Sequence, residues 1–146
     1  MYYRLPNEEK GHITSLTVKE FLSVTGNGHD NIEALMLQSD RASLQIERFR
    51  SEKPELLTKI LPAGEKYLLE PIGNHCRGTT FLDGNRFIDE KLVSVFDGVS
   101  HQLNGIYFGR YDIKCKSLED LKNNRNWSII ELNGVKSEPT HIYQPN

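Results

Sequence analysis

The sequence predicts an α+β fold in which helices pack on an antiparallel sheet, and three observations lead there. Runs rich in β-branched and aromatic residues, alternating roughly with polar ones, stand near both ends of the chain. The middle third instead shows apolar residues at helical spacing, punctuated by turn and capping residues. One longer amphipathic segment, Asp89 to Leu103, then precedes the last pair of strand-like runs.

Taken in order, Tyr2 to Leu5 is β-prone and closes at Pro6-Asn7 and a charged turn ending at Gly11. His12 to Val18 resumes with β-branched residues, so residues 2–19 are expected to form a β-hairpin whose first strand is an exposed edge. Thr25-Gly26-Asn27-Gly28 is a turn in which glycine reaches positive φ without strain. Asp30 is the expected cap of a helix carrying Ile32, Leu35 and Met36, and Asp40 that of a second carrying Ala42, Leu44, Ile46 and Phe49. Pro54 breaks the second, and one or two more turns run to Leu61, so about 30–61 reads as a helical insertion between β segments. Lys66 to Glu70 is a compact strand stopped by Pro71. In the 89–103 helix, Leu92, Val93, Val95, Phe96, Val99 and Leu103 mark the buried stripe, with Asp97-Gly98 as a local weak point. Ile106–Cys115 and Trp127–Gly134 are strands, separated by a capped turn at Ser117–Lys122 and a polar tip, Asn123 to Asn126. Two prolines exclude regular helix from the tail beyond Val135.

The 146 residues suffice for one domain with a core that buries about two thirds of the unfolded surface, and no repeat or linker divides 1–146. Net charge is −2 with no basic run, so no field favours nucleic acid. No apolar run approaches the ~18 residues a membrane span requires, and Met1 to Pro6 lacks the apolar core of a signal peptide. Cys76 and Cys115 are far apart, without CxxC spacing; reduced thiols in a cytoplasmic chain are the default, and a disulfide is the alternative.

Chemistry concentrates in the last two strands. Glu131 and Asn133, two apart, share a strand face, and a neighbouring strand carrying Asp112 can bring a third oxygen ligand to the same point. Oxygen-only sets suit hard cations, Mg²⁺ above all; the alternative is a pair of edge strands with solvated polar residues. The loop Gly73 to Thr80 is either a plain turn or an anion cradle of backbone N–H groups with Asn74, His75 and Arg77. His12, His29 and His101 have no ligand spacing and read as surface or cap residues. Cys76 lacks a recognisable base.

Arg110-Tyr111-Asp112 followed by Glu131-Leu132-Asn133 resembles the Arg-x-Asp and Glu-x-Asn strands that end the ATP-grasp fold of D-alanine–D-alanine ligase-like carboxylate–amine ligases. Val24 to Leu35, with Gly26-Asn27-Gly28, is similar to a Gly-Asp-Gly segment in cyanophycin-synthetase-like and glutathione-synthetase-like members, Asn27 standing where Asp is usual. The resemblance implies the C-terminal lobe of that fold, covering essentially residues 2–145. It makes Asp112, Glu131 and Asn133 ligands of Mg²⁺ (or Mn²⁺) bridging the phosphates of ATP. Arg110 becomes the catalytic cation facing the transferred phosphoryl group, and Asn74, His75 and Arg77 contacts to the nucleotide. Ser137 and His141 fall where relatives place a substrate-carboxylate loop. The implied partners are a small carboxylate and an amine; separately, the exposed first strand is an edge open to pairing with a second copy of the chain. The chain shows no glycine-rich phosphate loop, so the resemblance implies a fragment or shortened form that turns over nothing alone. The rival expectation is a non-catalytic remnant that binds an anion or a partner.

Overall fold

A computed structural model describes residues 1–143. In chain order its elements begin β1 (Tyr2–Tyr3), β2 (His12–Ile13), β3 (Thr17–Glu20), β4 (Ser23–Thr25), α1 (Ile32–Leu37), α2 (Asp40–Ser43), α3 (Ile46–Glu52) and α4 (Pro54–Leu57). They continue with β5 (Lys66–Leu68), β6 (Thr80–Asp83), α5 (Glu90–Gln102), β7 (Phe108–Cys115), α6 (Leu118–Lys122) and β8 (Trp127–Asn133). The fold is α+β with antiparallel sheets. Among the described residues no helix is long and apolar enough to cross a membrane.

The chain folds as two compact units, Met1–Val18 with Asp83–Asn146, and Lys19–Leu82. The helical stretch expected at about 30–61 therefore lies inside a larger inserted unit, which also contains β4, β5 and the 73–80 loop. That unit has its own core, in which Ile32, Met36, Phe49, Leu61 and Leu69 are almost inaccessible. Its caps fall one residue from the expected ones. Asn31 caps α1, its side chain accepting from the Ala34 amide, because Asp30 is engaged by Asn27 and Gln38. Ser39 caps α2, accepting from Ala42, and Asp40 becomes the first helical residue.

In the first unit the strand order is β2-β1-β7-β8. The expected hairpin forms, but only through Tyr2↔Ile13 and Tyr3↔His12; Thr17 and Val18 belong to β3, which pairs with β6. The expectation that the first strand is an edge fails. β1 also pairs with β7, through Tyr2↔Gly109, and Tyr2 is 2% exposed. The reason is burial: Tyr2 joins Leu92, Phe96 and Leu121 in a core flanked by Tyr111, Ile113 and Trp127. The edges of this sheet are β2 and β8.

Helix α5 runs unbroken through Asp97-Gly98. Asp89 caps it by accepting from the Leu92 amide at 3.0 Å. Asp97 is held by tertiary contacts, its Oδ1 accepting from the Tyr2 hydroxyl at 2.6 Å and from the Gly11 amide at 2.8 Å. A Cβ at Gly11 would collide with the Tyr2 ring and the Tyr3 carbonyl, so this turn requires glycine.

Candidate functional site

Strand parity divides the residues of β7 and β8 between two faces. Tyr111 and Ile113 pack on the core, so Arg110 and Asp112 point to the opposite face. On β8 the apolar phase slips: Trp127 and Ile129 share one parity, but Leu132 has the other. A register shift accommodates the slip. Asp112 pairs with Glu131 and Ile113 with Ile129, which leaves Ile130 as the extra residue of a β-bulge. The bulge returns Leu132 to the face of Tyr111, so Glu131 and Asn133 join Arg110 and Asp112. Without it, a strand in constant phase with Trp127 would turn Glu131 and Asn133 toward the core.

The four side chains form one hydrogen-bonded group centred on the guanidinium. Arg110 Nε donates to Asp112 Oδ1 at 2.9 Å, and Nη1 donates to the Glu138 carbonyl at 3.1 Å. Asn133, with its amide turned to satisfy both neighbours, accepts from Arg110 Nη2 at 3.2 Å and donates to Glu131 Oε1 at 3.0 Å. Close by, the Met1 ammonium donates to the Ser15 carbonyl at 2.7 Å. Burial, reinforced by the Arg110 charge and opposed by Asp112, lowers its pKa to about 6.

Beside Arg110 lies a cavity of about 530 Å³, lined by Arg110, Asn133, Gly134, Lys136, Ser137 and Thr140 among others. Ser137 shapes its wall: its amide closes a turn onto the Gly134 carbonyl at 2.9 Å, and its hydroxyl lies 2.6 Å from the same oxygen. His141 is engaged elsewhere, with Nδ1 2.8 Å from Thr17 Oγ1, and it does not line this cavity. Lys136 and Thr140 do line it and were outside the expected set. The available signal was their placement on either side of Ser137 in the turn after β8.

Asn74, His75 and Arg77 belong to the other unit, where they fold their own loop. Asn74 caps a short 3₁₀ turn by accepting from the Cys76 amide at 3.0 Å, and Gly78 ends it at φ 96°. His75 Nδ1 lies 2.9 Å from Arg41 Nη2. Arg77 and Arg48 both donate to Glu70 Oε2, at 3.3 and 3.1 Å. Burial would raise the Glu70 pKa; the Ile72 amide and the two guanidinium groups outweigh it and hold the carboxyl below the ordinary carboxylate range.

As a donor set, two carboxylates and an amide oxygen suit a hard cation. Among the described residues, no group of three or more His, Cys, Asp or Glu is placed to hold a metal ion. Coordination by Asp112, Glu131 and Asn133 would require Arg110 to leave Asp112 and the Asn133 amide to turn. Both are rotations of single side chains about bonds with alternative staggered or two-fold minima. The fold and the site together define an α+β protein with a polar sheet face, carrying the Arg110–Asp112 ion pair, next to a cavity. No family model matches this chain, and no curated protein matches it.

Proposed function

We propose that the Arg110–Asp112–Glu131–Asn133 face is the metal and phosphate corner of an ATP-grasp-like carboxylate–amine ligase lobe. One observation carries the reading: Arg110 opposes Asn133 and Asp112 opposes Glu131 in register, on one sheet face. Asp112 and Glu131 would hold Mg²⁺ or Mn²⁺, with Asn133 supplying a neutral oxygen. The cation, when bound, supplies neutralising charge for the phosphates of ATP. Arg110, released from Asp112, would face the transferred phosphoryl group and then the acyl-phosphate made from a small carboxylate. An amine would displace phosphate from that species. Ser137 and Lys136 line the cavity beside Arg110 and would orient the carboxylate.

The test is paramagnetic broadening of ¹⁵N-labelled protein by Mn²⁺, with and without ATP. Amide signals of 110–112 and 131–133 should broaden first, more strongly with ATP present. Asp112→Asn should weaken the effect about tenfold or more while leaving the spectrum folded, a loss of about 1.4 kcal/mol. Broadening that ignores this substitution would sink the reading.

The ion pair between Arg110 and Asp112 favours a second reading, in which the same face and cavity bind an anion without metal and without turnover. Binding of ATP or of a small carboxylate in the presence of a chelator, lost in Arg110→Gln but kept in Asp112→Asn, would select it.

A further inference from the structure

A larger cavity lies elsewhere in the first unit. It measures about 920 Å³ and runs between one side of α5 and the turn that joins α6 to β8. Ser94, Gly98 and Gln102, four residues apart, line the helix side. Asn124, Asn126 and Trp127 line the other.

Two features mark this groove. Gly98 stands inside a thirteen-residue helix, yet a Cβ built there meets nothing within 4 Å. Glycine is unfavourable in a helix interior, and here neither a close neighbour nor a positive φ requires it. Facing it, Asn124 and Asn126 hold left-handed backbone at φ 52° and 53°, the two non-glycine residues of the described chain that do so. The turn is held in that shape by its own hydrogen bonds. Trp127 Nε1 donates to Asn124 Oδ1 at 2.9 Å, and the Lys116 amide donates to the Asn126 carbonyl at 3.0 Å.

The chemistry of the groove is close to neutral. Its basic side chains Lys122 and Arg125 are paired with Asp89 and Asp120, each at 2.6 Å. Glu90 and Lys91, also in the lining, carry opposite charges. Left over are the Ser94 hydroxyl and the Gln102 carboxamide, which both donate and accept, beside the Trp127 ring and the open helix surface at Gly98. That combination matches a molecule with hydroxyl groups on its edge, an apolar ring face and no net charge. We propose that this groove binds a neutral carbohydrate of one or two pyranose rings, with Gly98 making room for the ring and Trp127 and the asparagine turn recognising it.

Trp127 is the sole tryptophan of the chain, so its fluorescence reports directly on the groove. The experiment titrates the full chain with glucose, galactose, mannose, N-acetylglucosamine, maltose and lactose to tens of millimolar, followed by fluorescence and by ¹⁵N shifts. At least one sugar should give a saturable change that includes the amides of 94–102 and 123–127. Gly98→Leu, which fills the groove from a position open to a side chain and strengthens the helix, should weaken that binding about tenfold or more at unchanged fold. The proposal is overturned if no sugar of the panel saturates, or if Gly98→Leu leaves the titration as it was. It is equally overturned if glucose 6-phosphate or inorganic sulfate binds there in preference to the neutral sugars.

Discussion

Replacing Gly109 by alanine tests how the candidate site is held. Gly109 is buried in β7, opposite Tyr2 on one side and adjacent to the end of β8 on the other. A Cβ there would stand 2.8 Å from the Asn133 carbonyl oxygen and 2.9 Å from Leu132 Cδ1. The Leu132 methyl can rotate away, but the carbonyl belongs to the strand backbone and moves only if β8 moves. Overpacking of this kind costs about 1–3 kcal/mol. The backbone clash places Gly109→Ala in the upper half of that range, about 2 kcal/mol. For a chain of this size that corresponds to a fall in Tm of roughly 4–8 °C. Urea unfolding followed by Trp127 fluorescence reads the affected unit, since Trp127 packs in its core. The midpoint should fall at unchanged slope. Amide shifts should concentrate at 109–112 and 131–134, and Mn²⁺ broadening there should weaken because Asn133 is displaced. A variant as stable as the parent, with an undisturbed Asn133 signal, would refute the claim that this close approach fixes the strand pair carrying the site.

The remaining predictions concern the buried polar groups. Tyr2, buried and donating to Asp97, has its pKa raised to about 12, first by burial and then by that carboxylate. Its folded pKa exceeds the unfolded value, so the stability it lends is complete below about pH 10 and is lost as pH rises through about 12; ultraviolet titration should show late tyrosinates from Tyr2 and from Tyr111, which burial also raises, and Asp97→Asn should shift only that of Tyr2 earlier. Glu70 shows the opposite sign: its folded pKa is depressed, so its contribution is present above the ordinary carboxylate range and is lost as pH falls through the lowered value. Glu70→Gln leaves two guanidinium groups short of a charge partner and should cost about 1–3 kcal/mol at neutral pH, a cost that urea unfolding followed by circular dichroism should show shrinking toward low pH.

Much of the local structure was legible because helix periodicity and capping act within a few residues. Helix α5 follows from its apolar stripe and the Asp89 cap, and α6 from Ser117, whose side chain accepts from Asp120. Where a cap was misplaced by one residue, the deciding contacts are ones that sequence does not rank: the Asp30 carboxylate accepts from Asn27 and Gln38, and Ser39 rather than Asp40 accepts from the Ala42 amide. Asp97-Gly98 reads as a weakness until Tyr2 and Gly11, more than eighty residues away in sequence, are seen to hold Asp97.

The sequence by itself determined that Arg110 and Asp112 share one strand face and that Glu131 and Asn133 share another, because side chains alternate with a period of two. Only the tertiary structure decided that these are the same face. That required the β7–β8 register and the bulge at Ile130, which depend on burying Tyr111, Ile113 and Trp127 in one core. The division into two units, the interior position of β1 and the engagement of Arg110 with Asp112, Asn133 and Glu138 were settled the same way. They are outcomes of long-range packing, in which each strand's place is fixed by what its buried face meets rather than by its own residues.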